Sequence, residues 1–161
     1  MRLKAVCLLL CAGLLSAPAV AAPEDDDAWS GRYRLTWTEG PAFDVGEPDT
    51  VLVIARTPDA DPAQYPGDLA RWTAGPDEGI NKEKAGELSR LSPDNYQEPG
   101  LAALYAAGGI ECLDSGVSFI CRVKPGTTVV FGGQKILART GFFGGASQAG
   151  FFELTKLEST P

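Results

Sequence analysis

The stretch Ile110-Glu111-Cys112-Leu113-Asp114-Ser115-Gly116-Val117-Ser118-Phe119-Ile120-Cys121-Arg122-Val123 decides the fold. Two runs rich in β-forming residues flank Asp114, Ser115 and Gly116, residue types that turn a chain. If Cys112 lies opposite Cys121 in an antiparallel hairpin, paired residue numbers sum to 233. That register sets Glu111 against Arg122, Ile110 against Val123 and Leu113 against Ile120. Opposite charges then meet, and apolar groups meet, as cross-strand pairing favours. The spacing predicts a disulfide-clamped hairpin over 109–124 with its turn at Gly116 and Val117. Ile110, Cys112, Phe119, Cys121 and Val123 share one face, and Glu111, Arg122 and Lys124 share the other. The bridge contributes about 2 to 3 kcal/mol by loop closure.

The same alternation extends outward. Trp29, Gly31, Tyr33, Leu35 and Trp37 alternate with Ser30, Arg32, Arg34 and Thr36, which predicts a half-buried opening strand. Thr50 to Arg56 reads as a second strand, buried on both faces. Downstream, Pro125-Gly126 and Gly132-Gly133 mark turns around a strand at 127–131, a strand follows at 134–140, and 149–158 closes the set. Between Thr57 and Gly108 the alternation breaks. Ile80, Lys84, Leu88 and Leu91 fall at helical spacing before Ser92 and Pro93, which predicts a short helix over 80–91, and Pro99 opens a second that ends at Ala107. The fold class is therefore mainly β: an antiparallel β-barrel or sandwich of about seven strands. It forms a single domain over 29–161 with an acidic, Pro-rich, partly helical insertion at about 57–108.

Trp29, Gly31 and Tyr33 in the octapeptide AWSGRYRL resemble, over fewer than ten residues, the opening strand of lipocalin-like barrels, where a glycine and a tryptophan begin the first strand. The resemblance implies a barrel and transfers no site residue.

Residues 1–21 have the order of a secretory signal: Arg2 and Lys4, an uncharged apolar run from Ala5 to Leu15, then Ala19-Val20-Ala21 at the cleavage positions. Cleavage after Ala21 is expected, giving a periplasmic or secreted protein with no membrane span. Val6 and Leu10 precede Cys7 and Cys11, where lipidation needs a small residue. Cleavage removes the only methionine, two of the four cysteines and two of the fourteen basic residues. Twelve basic residues against twenty-one acids then deepen the net charge from −7 to −9. Such a charge repels nucleic acid and favours a neutral or basic partner. Glu24 to Asp27 reads as part of a disordered acidic leader over 22–28. The rest of the excess lies between Glu39 and Ala107, with five basic residues against thirteen acids.

The chain has no histidine, which excludes histidine-based dyads and triads and removes the commonest zinc ligand. Loss of Met1 excludes ordinary haem or copper ligation as well. No enzyme activity, cofactor or metal is expected. Two candidate sites remain. Gly-Phe-Phe recurs nine residues apart, placing Phe142 and Phe143, then Phe151 and Phe152, with one ring of each pair on either side of a sheet. Either both faces are covered, or the rings form an exposed patch or cavity rim with Gly144–Ala149 as a flexible lip. The second candidate is an acidic surface of Asp59, Asp61, Asp77, Glu78, Glu83 and Glu87, which lacks calcium-loop spacing but supplies a field.

These features point to an exported, non-catalytic binding module, such as a periplasmic inhibitor or immunity-type protein that engages a basic protein. The alternative is a carrier of a small apolar ligand in a lipocalin-like barrel, lined by Trp29, Tyr33, Leu35, Trp37 and the phenylalanine pairs.

Overall fold

The computed structural model describes residues 27–65, 67–77 and 86–157. Its strands are β1 (Gly31–Glu39), β2 (Thr50–Thr57), β3 (Arg71–Pro76), β4 (Gly86–Arg90), β5 (Ile110–Asp114), β6 (Ser118–Val123), β7 (Thr127–Phe131), β8 (Gln134–Ala138), β9 (Phe142–Ala146) and β10 (Gly150–Leu157). Eight of them close into an antiparallel barrel in the order β1-β10-β9-β6-β5-β4-β3-β2, while β7 and β8 form a separate two-stranded sheet. Helix α1 (Pro41–Asp44) follows β1, and α2 (Pro99–Ala106) precedes β5, where the sequence predicts it. The signal segment 1–21 and the leader up to Asp26 lie outside the described residues.

The predicted hairpin register is the observed one. Ile110 pairs with Val123, Glu111 with Arg122, Cys112 with Cys121 and Leu113 with Ile120. Cys112 and Cys121 are bridged, with Cα atoms 4.0 Å apart. Cys112 exchanges no backbone hydrogen bonds with its partner. Its N–H donates to the Tyr96 hydroxyl at 2.9 Å, and its carbonyl accepts from Leu91 N–H at 2.8 Å. Directly opposite residues approach most closely at such non-hydrogen-bonded positions, which is where a cross-strand bridge can form.

Two cores lie on the two sides of this hairpin. Inside the barrel, Tyr33, Leu35, Ile54, Trp72, Leu88, Leu113, Ile120, Phe152 and Leu154 fill the interior. Eight strands enclose just enough space for side chains to pack in this way. Outside, Ile110, Cys112, Cys121, Val123 and Phe143 are covered by Leu101 of α2 and by Val129, Ile136 and Ala138 of the β7–β8 sheet. The cysteine face therefore points out of the barrel, and the Glu111 and Arg122 face points in. Burial on both faces, expected of Thr50–Arg56, belongs instead to β5 and β6; in β2 only Ile54 is buried.

The stretch 57–108 is more than an insertion, because it supplies two barrel strands. The helix predicted over 80–91 is contradicted at 86–90, which is β4, with Ile80 and Lys84 outside the described residues. Leu88 points inward beside Trp72 while the backbone of β4 pairs with β3 and β5. Closure of the barrel satisfies those backbone groups, and a helical spacing of only four residues does not outweigh it. β3, Arg-Trp-Thr-Ala-Gly-Pro, carries little strand signal of its own and raises the barrel to eight strands.

Gly144 and Gly145 belong to strand β9 and form no flexible lip. A Cβ on Gly144 would sit 2.4 Å from the Phe119 carbonyl oxygen and 2.5 Å from the Phe152 ring, so this position admits only glycine. The chain reverses instead at Ser147-Gln148-Ala149, where Gln148 adopts φ 66°.

Candidate functional site

The two ends of the barrel differ in chemistry. At the end where β5 meets β6, a groove of about 390 Å³ runs between Pro41 of α1, Val117 in the hairpin turn, Phe119, Ala146 and Phe151. Its α1 wall is fixed by a close crossing: Gly40, at φ 97°, packs against Gly150, and Ala42 N–H donates to the Ala149 carbonyl at 2.9 Å. Anchoring Ala42 leaves its neighbours outside. Phe43 is 55% exposed, Val45 75% and Val117, across the groove, 69%. Large apolar side chains this exposed lie outside both hydrophobic cores. Asp44, Glu47 and Asp49 are exposed on the same loop and form no ion pair among the described residues. Asp114, beside the groove, accepts the Gly116 N–H at 3.0 Å and shapes the turn.

At the opposite end, the last inward-facing positions of several strands are charged. Arg56, Arg90, Arg122 and Glu111 surround a cleft of about 130 Å³ with Trp29 and Trp72. The Arg56 guanidinium lies 4.5 Å from the Trp72 ring centre and that of Arg122 5.6 Å from Trp29. Arg122 donates to Glu111 at 2.9 Å, and Arg90 lies 3.4 Å from both Glu111 and Asp68. Asp27 closes the cleft, its Oδ1 accepting from Trp72 Nε1 at 2.9 Å and from Ser30 N–H at 3.2 Å. Asp27 is thus tied to the barrel, contrary to its reading as part of a solvated leader. Burial pushes its carboxyl up, but these hydrogen bonds outweigh that and hold it below the ordinary aspartate value. Tyr33, beneath, donates to the Trp29 carbonyl at 2.7 Å. Burial and the Asp27 charge, partly offset by Arg122, push its hydroxyl up to about 12.

The predicted site residues are distributed differently. Phe142 and Phe152 face the barrel interior, whereas Phe143 and Phe151 join the outer core. Both faces are covered, and only Phe151 reaches the apolar groove. The described acidic candidates are each engaged locally. Asp59 pairs with Arg56, Asp77 with Arg32, and Glu87 lies 3.5 Å from Arg71. Asp61 caps its own turn by accepting the Ala63 N–H at 2.9 Å. Glu78 and Glu83 lie outside the described residues. Three acids that form no ion pair among the described residues sit together in the α1 loop, Phe43-Asp44-Val45-Gly46-Glu47-Pro48-Asp49, where apolar and acidic residues mix in a turn-forming segment. That mixture is the signal by which the sequence marks the loop. No protein-family model matches this chain, and neither a curated protein nor a solved structure matches it.

Proposed function

We propose that this chain is an exported, non-catalytic binding module that uses the α1 end of the barrel to engage a basic protein, as an inhibitor or immunity-type factor does. The observation that carries the reading is the combination at that end: an apolar groove walled by Pro41, Val117 and Phe151 and, on the loop that continues from Pro41, exposed Phe43 and Val45 interleaved with the exposed acids Asp44, Glu47 and Asp49. An apolar centre supplies affinity and desolvation, and an acidic rim steers a cationic partner into place. The occupant is a protein surface with an apolar side chain ringed by lysine or arginine. Export is supported by the pattern of residues 1–21 and by the disulfide, which suits an oxidising compartment.

The apolar-carrier alternative would require Tyr33, Trp72, Leu113 and Leu154, all buried across the barrel, to part. Binding of the purified protein to a panel of basic cell-wall hydrolases and toxins, measured by interferometry at two salt concentrations, tests the proposal. The expected result is one tight complex that weakens with salt and is lost in Phe43→Asp with Val117→Asp. Binding that ignores salt and these substitutions, or no binding across the panel, overturns it.

A further inference from the structure

The charged end of the barrel carries a site of its own, independent of the apolar groove. Leu52, Ile54 and Arg56 share one face of β2; Leu88 and Arg90 share one of β4; Ile120 and Arg122 share one of β6; Phe152, Leu154 and Lys156 share one of β10. The apolar members of each set pack in or against the barrel core, so the sets face inward. Four strands of a strongly acidic chain thus end on a basic side chain directed to the same mouth. Lys156 reaches the rim with its ammonium 5.6 Å from the Tyr33 ring centre. Among the described residues that line the mouth, the acids are Glu111 on β5 and Asp27, which lies ahead of β1.

The partners of these cations are exchangeable in different degrees. Asp59 on Arg56 and Asp68 on Arg90 are exposed rim residues, their side chains 56% and 46% accessible. Exposed pairs of this kind contribute between nothing and about 1 kcal/mol. Arg56 and Arg122 rest near the indole rings of Trp72 and Trp29, which holds their planar forks in place for a planar acceptor. Asp27 already shows what the mouth accepts: a carboxylate that takes the Trp72 indole N–H inside a cleft lined by arginine.

We propose that the mouth binds a small carboxylate with a planar apolar body, its carboxylate replacing that of Asp27 on Trp72 and meeting the arginine forks while its flat body lies along the indoles. Guanidinium and carboxylate make paired, charge-assisted hydrogen bonds, so the carboxylate is preferred over a neutral amide of the same shape. Displacing Asp27 costs its hydrogen bond to Trp72, which the ligand restores. The adjoining cleft, about 590 Å³, shares Arg90 and Glu111 with the mouth and offers Tyr96 and Tyr105 to a longer ligand.

The test is titration of the purified protein with benzoate, benzamide and inorganic phosphate, following the Trp72 indole N–H resonance. Benzoate is expected to give a saturable shift, at least tenfold tighter than benzamide or phosphate. Asp27→Asn removes the competing charge and is expected to tighten benzoate at least threefold. Arg56→Gln with Arg122→Gln is expected to weaken it at least tenfold. Where the double arginine variant fails to fold, the Asp27→Asn comparison decides. No saturable shift in either the native protein or Asp27→Asn, benzamide or phosphate equalling benzoate, or weaker benzoate binding in Asp27→Asn overturns the proposal.

Discussion

Tyr96 completes a seam that the strands leave open. β4 pairs with β5 only at Ser89–Asp114 and Arg90–Leu113, and the chain then turns away into Pro93, so the Cys112 N–H takes the Tyr96 hydroxyl as its acceptor. Tyr96→Phe leaves that buried donor unpaired and should cost about 1 to 3 kcal/mol in urea denaturation, whereas Tyr105→Phe, on the exposed side of the stacked pair, should cost little. Titrating residues set limits at both ends of the pH scale. The Asp27 pKa is held low by folding, so its contribution is present above the unfolded value near 3.8 and lost as pH falls through the folded value. The Tyr33 pKa is raised from 10 to about 12, so its contribution is intact below pH 10 and lost as pH rises between those values. Alkaline denaturation should therefore steepen above pH 10, by on the order of 2 to 3 kcal/mol, and Tyr33→Phe should flatten that limb. The mouth residues escape a linear reading because each ends a different strand. A parity rule would have found them: in Leu52-x-Ile54-x-Arg56 and Ile120-x-Arg122, a charge follows apolar residues on the same face.

Among the elements, the β5–β6 hairpin was the most legible, because cysteine pairing, charge pairing and turn chemistry all require one register. What could not be read locally was which of its faces pointed into the barrel. Ile110, Cys112 and Cys121 look no more or less interior than Leu113 and Ile120, and only the presence of α2 and the β7–β8 sheet makes both faces dry. β4 misleads for a related reason: Leu88 and Leu91 fit a helical period, but Leu91 lies beyond the strand and donates its N–H to Cys112. β9 conceals itself behind two glycines that look like a loop. Gly144→Ala places a methyl group against the Phe119 carbonyl and should cost about 3 kcal/mol or more, read as a lower melting temperature. Gly46→Ala makes a suitable contrast, since a Cβ there meets nothing within 4 Å and only the positive φ of 69° opposes it.

For the whole molecule, composition gives the sign of the charge, and ion pairing decides which of the described acids leave their field uncompensated. Asp59, Asp77 and Glu87 face arginines, so they contribute little field, whereas Asp44, Glu47 and Asp49 stand beside exposed Phe43 and Val45. Replacing all three by asparagine should slow association with a cationic partner about tenfold at low salt and leave dissociation nearly unchanged, as stopped-flow mixing would show. The same substitutions at Asp59, Asp77 and Glu87 should have a smaller effect. Closure of eight strands pairs every barrel strand on both sides, whereas among the described residues the two-stranded β7–β8 sheet keeps open edges. That sheet has another consequence. The sulfur atoms it helps to cover belong to residues no more than 1% exposed, sealed by Leu101, Val129 and Ile136. Thiol reagents, whether they make or break the bridge, therefore reach it only while this cover is off the hairpin, so the rate of its reduction in the folded protein reads how often the cover lifts.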